Sequence, residues 1–143
     1  MTGFLGRYEF QMDEKGRVSL PAAFRKDAEG GRFVLLQWEK PYLTLFPERV
    51  WSKVQERLLE FRRADSDAAH YVREITANAV EVLPDKQGRI LIPAWLQEAA
   101  SLEGPVLLNG ALDRVEIWNP DAFRKSMEER AEASQSFRHR IFS

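Results

Sequence analysis

The sequence predicts a mixed α+β fold, mainly β, in which two tandem copies of one small four-stranded unit pair into a single pseudo-twofold barrel with peripheral helices. Three observations carry that expectation. A ten-residue segment recurs without a gap at an offset of 72 residues, apolar and polar residues alternate around each recurrence, and a long amphipathic stretch separates the copies.

The recurrence lays Asp13-Glu14-Lys15-Gly16-Arg17-Val18-Ser19-Leu20-Pro21-Ala22 over Asp85-Lys86-Gln87-Gly88-Arg89-Ile90-Leu91-Ile92-Pro93-Ala94. The same offset matches Glu9 with Glu81, Val34-Leu35-Leu36 with Val106-Leu107-Leu108, Leu45 with Ile117, Phe46 with Trp118 and Trp51 with Phe123. One unit is written twice.

Each copy reads as strand, turn, strand, short helix, two strands and a helix. Tyr8, Phe10 and Met12 alternate with Arg7, Glu9, Gln11 and Asp13, the two-residue period of a half-buried strand, and Val18 and Leu20 resume it. Gly16 and Gly88 stand where a short hairpin loop needs positive φ. Pro21 and Pro93 suit the first position of a short helix, which is expected to stop near Gly30-Gly31 or Gly104. Strands follow at Phe33 to Gln37 with Leu43 to Phe46, and at Val106 to Leu108 with Val115 to Trp118. Between the copies, Trp51, Val54, Leu58 and Phe61 recur at helical spacing over about 48–63, and a second helix capped near Ser66 carries Tyr71 and Ile75. A helix from Asp121 to about Arg130 closes the second copy, and 131–143 is expected to fray. The units so delimited are 7–49, the helical connector 50–77, 78–121, and a C-terminal helix and tail at 122–143. Four short strands leave sheet edges open around a small core, so each unit needs its twin.

Composition narrows the function. With 143 residues and 44% hydrophobic content the chain can bury one real core, and the absence of cysteine removes disulfides, thiolate nucleophiles and cysteine-based zinc sites. The longest apolar run, Phe33 to Leu36, is too short to span a membrane, and Arg7 and Glu9 follow too closely on Gly3-Phe4-Leu5-Gly6 for a signal-peptide core. The expected place is the cytoplasm. A net charge of −1 excludes coating nucleic acid by bulk positive charge, so any DNA contact must be local. His70 and His139 have no metal-ligand spacing, the serines lack a nucleophile-elbow context, and no phosphate-binding glycine loop occurs. No enzyme, cofactor, metal or small-molecule substrate is therefore expected.

The constellation left is the duplicated Asp-x-x-Gly-Arg turn. Asp13 can bond turn amides while Arg17 pairs with it, so the turn can simply hold a hairpin together. The same geometry would present a guanidinium in a fixed place, suited to guanine or phosphate. Both readings stand, and they are compatible. Residues 7–26 hold Arg7, Lys15, Arg17, Arg25 and Lys26 against Glu9, Asp13 and Glu14, whereas Gln97 and Glu98 replace Arg25 and Lys26 in the second copy. The first turn is the expected main contact.

Gly6-Arg7-Tyr8, the run Asp13 to Arg17 with Pro21 and Phe24-Arg25, the run Asp85 to Pro93, and Glu116-Ile117-Trp118 together resemble the MraZ regulators, which are similar to a fused pair of AbrB/SpoVT-type swapped-hairpin DNA-binding units. The resemblance spans nearly the whole chain. It implies a transcription factor of the cytoplasm and nucleoid, forming a homo-oligomeric ring on short direct repeats of double-stranded promoter DNA upstream of the division and cell-wall gene cluster, its own gene included. It further implies that Arg17 and Arg89 meet DNA from turns held by Asp13 and Asp85, with Lys15 and Lys86 as auxiliary phosphate contacts. The local positive charge adds Arg7 to the expected contacts, and the turn reading adds Gly16 and Gly88 to the scaffold. Two departures stand out: the segment before Gly6 is slightly extended, and Pro84, which cannot donate a ladder hydrogen bond, falls where the first copy has Met12. An oligomeric protein-binding scaffold or antitoxin-like module on the same barrel is the alternative.

Overall fold

The structure is a computed structural model that describes residues 3–28 and 31–142. Its elements, in chain order, are β1 (Arg7–Gln11), β2 (Arg17–Ser19), α1 (Ala22–Asp27), β3 (Phe33–Leu36), β4 (Leu43–Pro47), α2 (Glu48–Ala64) and α3 (Ser66–Ala77), then β5 (Val80–Val82), β6 (Arg89–Leu91), α4 (Ala94–Ala99), β7 (Pro105–Gly110), β8 (Val115–Trp118), α5 (Pro120–Glu129) and α6 (Ala131–Phe142). The α+β class and the order of elements follow the sequence pattern, but the expected predominance of β does not. Among the described residues helices hold nearly twice as many positions as strands, because α2, α3, α5 and α6 are long while no strand exceeds six residues. Gly30, named above as a helix stop, lies outside the described residues.

Six strands form one antiparallel sheet in the order β1-β7-β8-β4-β3-β5, and β2 pairs separately with β6. The expected closed barrel is therefore replaced by an open sheet that ends on β1 and β5. The reason lies in the turns: after β1 and after β5 the chain leaves the sheet, and the next strands pair with each other. The β2–β6 ribbon then closes the apolar side with Val18, Leu20, Ile90 and Ile92, helped by Phe24 of α1 and Leu96 of α4, all buried in one cluster with Leu35, Leu45, Leu108 and Ile117.

Strands of the two copies interleave. β1 of the first copy pairs with β7 of the second, Phe10 opposite Val106, and β5 of the second pairs with β3 of the first, Val82 opposite Phe33. Two further pairings set equivalent residues opposite one another: Val18 faces Ile90 across β2–β6, and Thr44 faces Glu116 across β4–β8. Each pairing has its counterpart.

The gapless offset of 72 fails in one place. Val34 lies opposite Phe46, whereas the residue opposite Trp118 is Leu107, one position later than the offset requires. The extra residue sits between α4 and β7 and is recovered between β7 and β8. A one-residue shift inverts the faces of a strand, so Leu35 and Leu108 are the inward pair, and Val34 and Leu107 face the outer helices.

The outer face carries the helices. Val34, Leu36 and Phe46 pack under Leu58 of α2 and Val72 and Ile75 of α3, while Leu107 and Trp118 pack under Phe123 of α5. Pro21 and Pro93 stand one residue earlier than expected, as N-caps with ψ of 142° and 151°. Asp65, one residue before Ser66, caps α3 by accepting the Asp67 N–H at 2.8 Å. The expected frayed end is instead helix α6 over residues 131–142, with every side chain exposed. Its Ala, Glu, Gln and Arg residues favour a helix without any buried stripe to reveal one.

Candidate nucleic-acid interface

The two turns have one construction. Asp13 Oδ1 accepts the Lys15 and Arg17 backbone N–H groups at 3.0 and 2.8 Å, and its Oδ2 accepts Arg17 Nε at 2.7 Å. Asp85 repeats this with Gln87 N, Arg89 N and Arg89 Nε at 2.9, 2.9 and 3.0 Å. Backbone bonds from the Asp13 and Asp85 N–H groups to the Arg17 and Arg89 carbonyls, both 2.9 Å, close the loops. Gly16 and Gly88 adopt φ of +87° and +79°, as the turn requires. Both carboxyls are held below the ordinary carboxylate range, chiefly by the arginine backbone N–H and then by the arginine side chain.

The turns are also locked to each other. Leu20 N donates to Gly88 O and Ile92 N to Gly16 O, both at 2.9 Å, and Arg89 Nη1 reaches to 3.8 Å from Asp13 Oδ2. Arg17 and Arg89 consequently share one surface. Each spends its Nε on its own aspartate, and among the described residues the terminal nitrogens of Arg17 have no acceptor. A guanidinium fixed through Nε with its outer edge open can take a phosphate oxygen or a base edge.

Lys15 and Lys86 are exposed on the turns. They are not equivalent, since Lys86 overlies Glu14 and Gln87 overlies Lys15. Arg7 is not brought to this surface: it begins β1, roughly 20 Å along the strand from the turn at ~3.3 Å per residue, with its guanidinium 5.8 Å from the Phe123 ring centre.

One residue outside the expected set does join it. A Cβ on Gly88 would lie 2.6 Å from Arg25 Cζ, so Arg25 of the first copy rests against the turn of the second, with its Nε donating to Leu20 O at 3.1 Å. Gln97 occupies the matching place against Gly16, its Nε2 donating to Ile92 O at 2.7 Å. Counted along the chain, Arg25 belongs with the first turn. Because the strands interleave, that cation serves the second turn, and only the register of β2 against β6 reveals it.

Elsewhere the chemistry is sparse. His70 Nε2 lies 3.0 Å from Glu74 Oε1 on the surface of α3. Among the described residues no group of three or more His, Asp or Glu converges as metal ligands, and no helix is long and apolar enough to cross a membrane.

A family model described as "MraZ protein, putative antitoxin-like" matches the chain twice, over residues 4–74 and 75–140. Similar proteins carry the name transcriptional regulator MraZ. That of Leuconostoc mesenteroides is 39% identical over 118 residues, 82% of each chain, and that of Caldanaerobacter subterraneus is 38% identical over 140 residues, 93% of this chain and 97% of the relative. That of Heliobacterium modesticaldum is 40% identical over 130 residues, 90% of this chain and 89% of the relative. The two matches of the family model run end to end across the duplicated turns and the sheet they leave and rejoin, and the chain belongs to the MraZ family.

Proposed function

We propose that this chain is a sequence-specific, DNA-binding transcriptional regulator that acts in the nucleoid as a homo-oligomeric ring, on short direct repeats upstream of the division and cell-wall genes and of its own gene. The observation that carries this reading is the pair of arginine-bearing turns set side by side. Arg17, Arg89, Arg25, Lys15 and Lys86 gather there against Asp13, Glu14 and Asp85, a local excess of positive charge on a chain whose net charge is −1. Asp13 and Asp85 orient, Gly16 and Gly88 permit the turn, and Arg17 and Arg89 read. The name carried by the relatives supports a regulatory role.

The interleaved strands support reading the units 7–49 and 78–121 as a swapped-hairpin pair about a pseudo-twofold axis, with 50–77 as connector and 122–143 as a C-terminal appendage. The position of Arg25 changes the balance expected from charge alone. With Arg25 beside Arg89, the second turn contributes to DNA contact as well as the first.

The test is a titration of wild type, Arg17→Ala and Arg89→Ala against promoter DNA bearing one, two or three repeats, at two salt concentrations. Each lost contact is expected to weaken binding by about 1–3 kcal/mol, multiplied across an oligomer that engages several repeats at once. Undiminished binding by both variants would mean that the arginines serve only their aspartates. The family model's antitoxin-like description favours protein binding as the second reading. A chain that ignores promoter DNA at every salt concentration would support it.

A further inference from the structure

Two unpartnered apolar surfaces of the chain match each other. The first is a groove of about 580 Å³ between α2 and α3, with Val54, Leu58 and Phe61 on one wall and Ala68 and Tyr71 on the other. Its floor is Trp38. Asp65 and Asp67 stand at the end where the two helices join, and Arg57 lies on the α2 side. The groove is mostly apolar, yet Phe61 at its rim is 56% exposed.

The second surface is α6. This helix buries nothing, although Phe137 and Ile141 stand 58% and 74% exposed. Spaced i,i+4, they form one continuous edge, with side-chain roots about 5–6 Å apart. On a helix of 3.6 residues per turn, Arg138 and Arg140 fall on either side of that edge. Arg140 lies with its Cζ 5.3 Å from the Phe137 ring centre, leaning along the edge. A helix of twelve residues is marginal in water unless its apolar face is covered.

We propose that the Phe137–Ile141 edge of α6 from one copy seats in the α2–α3 groove of a second copy, with Arg138 and Arg140 meeting Asp65 and Asp67. The signs of charge are complementary, and both apolar faces lose water on contact. Every copy carries one groove and one edge, in different places. The contact is therefore head-to-tail, the kind that closes into a ring when the rotation allows. This rests on the oligomeric part of the proposed function and names the surfaces that build it.

The experiment uses the full chain and light scattering at micromolar concentration. The groove variant is Phe61→Asp and the edge variant is Phe137→Asp with Ile141→Asp, all at exposed positions, with circular dichroism and melting to verify folding. A chain ending at Arg130 repeats the edge arm without new charges. Wild type is expected to be an assembly, each variant alone a single chain, and the two variants mixed in equal amounts a species of two chains, because one intact groove and one intact edge remain. Variants that keep the wild-type mass would overturn this interface while leaving the oligomer standing. A mixture that fails to pair would overturn it too. A wild type that is itself a single chain would sink both this inference and the oligomeric reading.

Discussion

Replacing Gly16 with alanine tests the turn most directly. A side-chain-bearing residue at a φ of +87° costs about 1–2 kcal/mol from the clash of Cβ with its own backbone. The new Cβ would also stand 2.9 Å from the Ile92 carbonyl oxygen and overlap the Gln97 side-chain amide that donates to that oxygen. Ile92 cannot retreat freely, because its own N–H is bonded to Gly16 O. Loss of the Gln97 bond adds about 1 kcal/mol, for a total of about 2–3 kcal/mol. At Gly88 the three atoms nearest the added Cβ all belong to the guanidinium of Arg25, the far end of an exposed side chain that can swing aside. Having five N–H donors where the Gln97 amide has two, it can keep Leu20 O through another nitrogen. Gly88→Ala should therefore cost about 1–2 kcal/mol, nearly all of it backbone. At roughly 3–4 °C per kcal/mol for a chain of this size, the expected falls in Tm are about 6–12 °C and about 3–8 °C. Calorimetry at matched protein concentration separates them, since assembly makes Tm depend on concentration. Equal falls, or a larger one at Gly88, would refute the argument that the contrast between a backbone and a flexible neighbour sets the cost.

Three further outcomes are expected. Asp13 has its folded pKa lowered, so its ionised form adds stability above the ordinary carboxylate value of about 4, and that stability is lost as pH falls through the depressed folded value. The Tm deficit of Asp13→Asn should accordingly be full at pH 7 and shrink on acidification below about pH 4; a deficit that is constant with pH would disprove the link. Arg25→Ala should weaken promoter binding and lower the slope of log affinity against log salt by about 1, with folding retained. An unchanged slope would remove Arg25 from the DNA-facing set. The Tyr42 phenol is pushed well above its usual range by burial, by the nearby Glu116 carboxylate and by donating to Glu39 Oε2 at 3.0 Å. Ultraviolet titration should show a late-ionising phenol that is lost in Tyr42→Phe; an unchanged titration in the variant would refute the assignment.

The sequence carries the local structure well because its signals are short-range. Asp13 with Gly16 and Arg17 is legible as a turn from composition alone, and the 3.6-residue period of Trp51, Val54 and Leu58 marks α2. What stays hidden depends on pairing. Nothing in the spacing of Val34 and Leu107 tells that an extra residue precedes β7, and only the partners Phe46 and Trp118 show it. For the same reason Arg25, counted with the first turn along the chain, belongs in space to the second. α6 escapes the sequence from the opposite cause: without a buried stripe it has no period to find.

The crossing of strands between the copies bears on how the protein is made. β3 and β4 leave the ribosome early, but β3 gains its second neighbour only when β5 emerges, and β1 waits longer still for β7, about a hundred residues downstream. Loops of that length must close before the contacts reward them, which places the chain among slower folders. During that interval the nascent first half displays bare edges whose true partners are identical in every neighbouring nascent copy. Translation on a crowded messenger thus sets up a contest between closing within one chain and exchanging strands with the next. The α2–α3 hairpin, which can pack on Val34 and Leu36 before any of the second copy exists, biases that contest by keeping the first half compact until its own partner arrives.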